Sequence, residues 1–371
     1  MSHVNHLRFG IEVEFLLYLK DEKHVFKNIE GFAEFVLSVY QKEKDKSWPD
    51  MHIDLDGSFK GKNAATEWSF SKDKSIERDP NDKHTQYPIE LVSPILHFTD
   101  GHFRDYVQGM WSLIGPLCVV KTNDSCGTHV HVSPSNEYTS AQIKAVARAA
   151  LYFEPAINAL VPPHRRNNFY SRNFFASNKY FKDKTPEQAI ALVDGLDESH
   201  KAIIELMNPH DSVIPGPDRY YTWNFTNLKV GGFMTIEFRQ GEGVITPAGA
   251  LAWAEFVVTF VGAAVAVAKT YGDLKEFTLN VHGLKVFLGH GLVSGVSNRT
   301  LLEAITSRAK DSASVSGSDP GKLSKEKEDR LAKKRKEDDH KQIFAKKMIE
   351  DEKKRKKLVE EAGKLPKEEE T

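Results

Sequence analysis

Four stretches of this chain alternate apolar residues with residues that carry chemistry. In RFGIEVEFLL (8–17), Ile11, Val13 and Phe15 alternate with Glu12 and Glu14. In SCGTHVHVSP (125–134), Val130 and Val132 alternate with His129 and His131. In MTIEFRQG (234–241), Ile236 and Phe238 alternate with Glu237 and Arg239, and in EWSFSKDKSIE (67–77) Asp73 and Ser75 share a face. Successive side chains of a strand point to opposite faces, so a period of two predicts strands with one face on a core. One such stretch alone would read as an antiparallel strand with a solvated face. Solvated faces, however, are rich in Lys, Thr and Ser. Carboxylates, imidazoles and an arginine on all four predict a sheet with one working face.

The 371 residues suffice for one large domain or two ordinary ones, and the 40% hydrophobic content allows a substantial core. A formal net charge of −1 gives no global attraction to nucleic acid or membrane. Two cysteines, Cys118 and Cys126, make no disulfide framework and suit a reducing, cytoplasmic setting. Cys126 lies beside the histidine pair, but no cysteine spacing supports a zinc site and a catalytic thiol is disfavoured. The N-terminus does not read as a signal peptide. Residues 248–272 are long enough to span a membrane. Their Ala/Gly content, Glu255 and the lack of basic flanks favour a helix buried under the sheet.

Residues 1–310 read as one catalytic domain of mixed α and β elements. Helical spacing appears over 29–44, 101–117 and 140–161, the last capped by Thr139 or Ser140 and kinked or broken at Pro155. Residues 185–196 open on a capping-box pattern, Thr-x-x-Gln. From 311 to 371 the composition becomes a Ser/Gly-rich linker and then a charged tail, expected to be partly helical or disordered. Its runs KKRK (333–336) and KKRKK (353–357) read either as solvated charge or as signals for nuclear import or an anionic or protein partner.

Glu12, Glu14, His129, Glu237 and Arg239 cannot share one cleft without compensation, because unpaired buried charge is costly. Divalent cations would neutralise the carboxylates, and hard oxygens with an occasional imidazole suit Mg²⁺ or Mn²⁺. An arginine beside them suits phosphate. Together these point to phosphoryl transfer, in which a protein mainly positions groups and stabilises charge. No Walker-type loop or dinucleotide fingerprint is present, so any ATP would sit on the polar sheet. Glu90 before a Ser-Pro turn, the loop with Arg165, Arg166, Asn168 and Tyr170, and RYYTWNFTNL (219–228), with Tyr220, Thr222, Asn224 and Thr226 on one face, are weaker candidates.

Taken in order, FGIEVEFLL, EWSFSKDKSIE, IELVSPIL, CGTHVHV, HRRNNFY, WNFTNL and TIEFRQGEG resemble the amidoligase family, which is abundant in fungi and belongs to the carboxylate–amine ligases. The resemblance covers about residues 7–268. It implies an α+β fold like that of glutamine synthetase and glutamate–cysteine ligase: a curved, mainly antiparallel sheet with helices on one face and a funnel on the other. It further implies ATP- and Mg²⁺-dependent (or Mn²⁺-dependent) joining of a carboxylate to an amine through an acyl phosphate. The acceptor would be a small molecule or a protein.

Carried over by motif, Glu12, Glu14, Glu90, His129 and, more loosely, His131 would ligate metal. Glu237, Arg239 and Asp73 would serve catalysis. Arg165, Arg166, Asn168 and Asn224 would bind nucleotide or substrate. About fifty residues between RNNFY and WNFTNL carry no motif, so the acceptor is not legible. A metal-dependent hydrolase of phosphoesters or amides and an inactive binding protein that keeps the fold are the competing expectations.

Overall fold

The computed structural model describes residues 6–318 except 22, 23, 25, 57–64, 167, 212, 213, 230, 231, 271 and 272, and a few positions between 325 and 336. The run KKRKK and residues 334 and 335 of KKRK lie outside the described residues. The strands are β1 (Leu7–Leu19), β2 (Met51–Asp54), β3 (Trp68–Ser71), β4 (Tyr87–Val92), β5 (Leu96–His97), β6 (Cys118–Lys121), β7 (Gly127–Pro134), β8 (His210–Asp211), β9 (Ile214–Pro217), β10 (Trp223–Asn224) and β11 (Ile236–Glu242). The helices are α1 (Ile29–Glu43), α2 (Phe103–Leu117), α3 (Ser140–Tyr152), α4 (Glu154–Leu160), α5 (Pro163–Arg166), α6 (Phe174–Ser177), α7 (Pro186–Asp194), α8 (His200–Met207), α9 (Pro247–Thr270), α10 (Val281–Gly289) and α11 (Arg299–Thr306).

The main sheet runs β10-β11-β7-β1-β4-β3-β2. The long strand β1 organises it. On β1, Leu7–Val13 pair with β7 and Leu16–Leu19 with β6, while Arg8–Phe9 pair with β5 and Glu12–Leu17 with β4. All these pairings are antiparallel, and β2–β3 is the parallel pair among the described residues. The fold class is α+β, with a mixed, mostly antiparallel, open sheet.

The period of two decides which face is buried. Phe9, Ile11, Val13, Phe15 and Leu17 of β1, Val130 and Val132 of β7, and Ile236 and Phe238 of β11 all enter the core. Helix α9 lies beneath them. Trp253 and Phe260 meet Phe238 and Trp223 at ring-centroid distances of 5.6 and 4.9 Å. This helix is apolar and long enough to cross a membrane, yet nearly all of it is buried inside the protein, as its composition predicts. Its one buried carboxylate, Glu255, is compensated. Arg104 Nη2 donates to it at 3.0 Å, and so does the Asn298 backbone N–H at 2.9 Å.

The predicted helices form, with the break that Pro155 implies. Helix α3 ends at Tyr152 after a Thr139/Gln142 capping box, and α4 restarts at Glu154. Helix α7 opens on the Thr185/Gln188 box. Two strand expectations are corrected. The stretch 67–77 is a strand only to Ser71. Asp73 then turns the chain, its Oδ1 accepting from Ser75 N (2.5 Å) and Ser75 Oγ (2.6 Å), a local bond that competes with a sheet ladder. Likewise 219–228 is extended in a strand only at Trp223–Asn224, because Thr226–Leu228 forms a 3₁₀ turn held by Asn224 Oδ1.

Glu154 explains why α4 and α6 sit together. Its buried carboxylate accepts from Phe174 N (2.6 Å) and Phe175 N (3.1 Å), the first donors of α6. Burial pushes its pKa up to about 7, against 4.5 ordinarily. A raised pKa contributes stability that is fully present below the unfolded value and is lost as pH rises through the folded value. The unfolding free energy measured in urea should therefore fall between about pH 4.5 and pH 7, by on the order of 3 kcal/mol. Glu154→Gln should remove that part of the slope. An identical slope in the variant would assign it to other groups.

Candidate active site

Strand register alone assembles the polar face. Glu14 stands opposite Glu90 across β1–β4, and Glu12 opposite His129 across β1–β7. His131 stands opposite Glu237 across β7–β11, and Glu237 opposite Asn224 across β11–β10. Directly opposed side chains leave the backbone about 5 Å apart, so these pairs form a continuous row. On its other side His131 faces Gly10, which has no side chain to block it.

The row is tightly bonded. His129 Nδ1 lies 3.1 Å from Glu12 Oε2, and His131 Nε2 lies 3.0 Å from Glu12 Oε1. Both imidazoles are 3.7 Å from Glu237 Oε1. His131 Nδ1 meets Thr235 Oγ1 at 3.1 Å, which orients the ring. Asn224 donates to Glu237 Oε2 at 2.7 Å, and the Gly127 N–H donates to Glu14 Oε2 at 2.7 Å.

Burial and charge push these carboxyls in different directions. Burial opposes ionisation of Glu12, but His131 and His129 outweigh it and hold the pKa well below the ordinary value. Burial likewise opposes Glu237, and Arg239 with His131 outweighs it. Glu14 goes up, because burial, reinforced by Asp73, exceeds the pull of His129. Burial acts to lower His131, yet Glu237 and Glu12 raise it to about 9. Its proton neutralises charge at a place where a metal cation would do the same.

Arg239 pairs with Glu237 Oε1 through Nη1 and donates from Nε to Tyr170 O at 3.2 Å. It sits where the β11–β7 register shifts between Phe238 and Gly241, a bulge that aims its side chain. Arg165 is fully buried beside it. Its Nη2 donates to Arg239 O at 2.6 Å, and burial lowers its pKa to about 10, leaving it charged at neutral pH. Glu14, Asp73, Ser75, Ser125, His129, Arg165, Tyr170, Tyr220 and Arg239 line one small cavity. A wider cleft of about 560 Å³ lies elsewhere, between the Asp45–Trp48 turn and α2, and holds none of these groups.

Three sets of residues could hold a cation, each with one donor atom per residue and all donors within 4.8 Å of one another. They are Glu12, His131 and Glu237; Glu12, Glu90 and His129; and Glu14, Asp73 and Glu90. Glu12 and Glu90 are shared, so the sets form a chain along the sheet. The sets gather five carboxylates, Glu12, Glu14, Asp73, Glu90 and Glu237, with two imidazoles. Such a hard, anionic donor set fits Mg²⁺ or Mn²⁺. Cys126 adds no soft ligand, because burial pushes its thiol up to about 12.

Of the residues singled out in the sequence, the structure brings together Glu12, Glu14, Asp73, Glu90, His129, His131, Arg165, Asn224, Glu237 and Arg239. It does not bring in two others. Arg166 donates from Nε to Asn158 O (2.6 Å) and Val161 O (3.0 Å), closing the C-terminus of α4. Asn168 Oδ1 accepts from Tyr170 N at 2.8 Å and shapes a turn. Sequence reasoning missed Thr235, Ser125, Asn227, Asn158 and Gln240. Parity could have found Thr235, which is two residues before Glu237, whereas Ser125 lies in the turn before β7. No alternation marks Asn158, which lies within a helix.

The polar face is a row of carboxylates and imidazoles on an open, mostly antiparallel sheet, with a bulge-mounted arginine beside it. Comparison with known families supplies the class of protein. Residues 5–261 match the family described as "Putative amidoligase enzyme", and the chain belongs to that family, which marks it as a ligase-like enzyme. A comparison with curated proteins finds no match.

Proposed function

We propose that this protein is an ATP- and Mg²⁺-dependent carboxylate–amine ligase with a glutamine synthetase-like catalytic fold. The observation that carries the reading is the chain of three cation-capable sets running to a buried arginine, within a chain of the amidoligase family. Divalent cations, when bound, would supply positive charge that offsets the negative charge of phosphoryl transfer. The rest of the reading concerns the chain's own residues. Glu12, Glu14, Glu90, Asp73, His129 and His131 would hold the cations, and Asn224 and Arg239 fix the Glu237 carboxylate.

Arg239 faces the phosphoryl group as it moves, its planar fork matched to phosphate oxygens. A substrate carboxylate oxygen attacks the γ-phosphorus, the bond to ADP breaks, and an acyl phosphate forms. The amine then attacks the acyl carbon, gives up a proton, and inorganic phosphate leaves. Arg165, locked to the backbone of β11, holds the arginine strand rather than the nucleotide. Tyr170 and Tyr220 wall the cavity where the acyl group would sit.

The test is a screen of amino acids, other carboxylates and polyamines with MgATP, read as ADP release. ADP release that requires both a carboxylate and an amine is expected. Turnover of phosphoesters or amides without nucleotide would instead assign the row to hydrolysis.

A further inference from the structure

The backbone of Arg239 and Gln240 leaves the β11–β7 register. Arg239 N still donates to Thr222 O beside β10 at 2.9 Å, so it is the β7 side of this segment that other groups must hold. Arg165 holds it from one side, through the carbonyls of Arg239 (2.6 Å) and Gln240 (3.5 Å). The Gln240 side chain is held from the other side, donating from Nε2 to Asn158 Oδ1 at 2.7 Å. Asn158 is completely buried on α4 and is a hub. Its Oδ1 also accepts from Asn173 Nδ2 at 2.8 Å, its backbone oxygen accepts from Arg166, and its Nδ2 donates to Val315 O at 3.1 Å.

Val315 belongs to the Ser/Gly-rich segment that composition marks as a linker. In the structure this segment is docked. His282 N donates to Asp311 O (2.8 Å), Val281 N to Ala313 O (3.0 Å), and Val315 N to Pro155 O (2.8 Å). Gly317 lies so close to Asn173 that an added Cβ would come within 2.5 Å of its side chain. The segment lies beyond the matched residues 5–261.

We infer that residues 311–317 are a strap that, through Asn158 as a positioning residue, locks the bulge carrying Arg239. The path is continuous: Val315 to Asn158, Asn158 to Gln240, and Gln240 to the arginine beside it. Amide groups suit the hub, because Asn158 must accept twice and donate once within a site it never touches. The functional meaning of the strap rests on the ligase reading, but its mechanical claim does not.

The experiment compares the full-length wild type with Gly317→Leu, which cannot seat against Asn173, and Asn158→Asp, which keeps the acceptors and loses the donor to Val315. Hydrogen–deuterium exchange is followed in peptides covering 236–242 and 87–92. The strap predicts about tenfold faster exchange in 236–242 for both variants and no change in 87–92. Wild-type exchange at 236–242 in Gly317→Leu, or equal acceleration in both regions, would overturn it. A second readout separates positioning from mere structure. MgATP binding should weaken about tenfold in Gly317→Leu while Mn²⁺ alone binds as in wild type, since most ligands stand on β1, β4 and β7. Failure of the wild type to bind MgATP would overturn the ligase reading, and the exchange result would still decide the strap.

Discussion

Arg239→Leu is expected to lower ligase turnover by about a thousandfold and to cost the fold about 3–5 kcal/mol. Both effects come from one geometry. Arg239 is buried, and it neutralises Glu237, which is itself almost fully buried. Removing one partner of a buried pair leaves an uncompensated charge, which is the costly case. The catalytic loss comes from the fork that would meet the moving phosphoryl group. Arg239→Lys restores charge but not the fork, so it should recover most of the stability and little of the rate. Single-turnover ADP formation and urea unfolding, measured on both variants, separate the two effects. Full activity in the lysine variant would show that Arg239 acts as a point charge.

Phe153→Ala is expected to destabilise the protein by about 3–5 kcal/mol without altering the chemistry of the polar face. Phe153 is fully buried at the break between α3 and α4. Its ring meets Phe287 at 4.7 Å, Tyr152 at 5.0 Å, Phe277 at 6.3 Å and Phe260 at 6.4 Å. These rings come from α3, α9, α10 and the turn before α10, so the cavity left by truncation opens between elements that cannot all close on it. Phe153→Leu should cost clearly less. A loss below about 1 kcal/mol for alanine would mean that the helical layer repacks freely.

How much of this was legible in the sequence depends on the range of the forces involved. The period of two fixed the faces of β1, β7 and β11, because burial acts on every second residue and one slip would expose Ile11 or Val130. The same parity carried Glu12, Glu14, His129, His131 and Glu237 onto one face. Helix caps were legible where the bond is local, as at Thr139 and Thr185. Asp73 was placed on a strand because the alternation continues past Ser71. A side-chain bond to Ser75 ended the strand there, and short-range polarity does not announce which partner wins. Arg166 and Asn168 looked like ligand-binding groups beside Arg165, yet they satisfy backbone groups of α4 and of a turn. The Asn158 hub was illegible for the opposite reason: its partners are 15, 82 and 157 positions away.

The most direct measurement is calorimetry of ATP binding with and without Mg²⁺, on the wild type and on Glu12→Gln. Glu12 is shared by two of the three cation-capable sets and bonds both histidines, so its loss disrupts the middle of the row. Saturable binding that requires Mg²⁺ in the wild type and is absent in the variant is the predicted result. Binding that ignores Mg²⁺, or that survives unchanged in Glu12→Gln, would contradict a nucleotide seated on the carboxylate row.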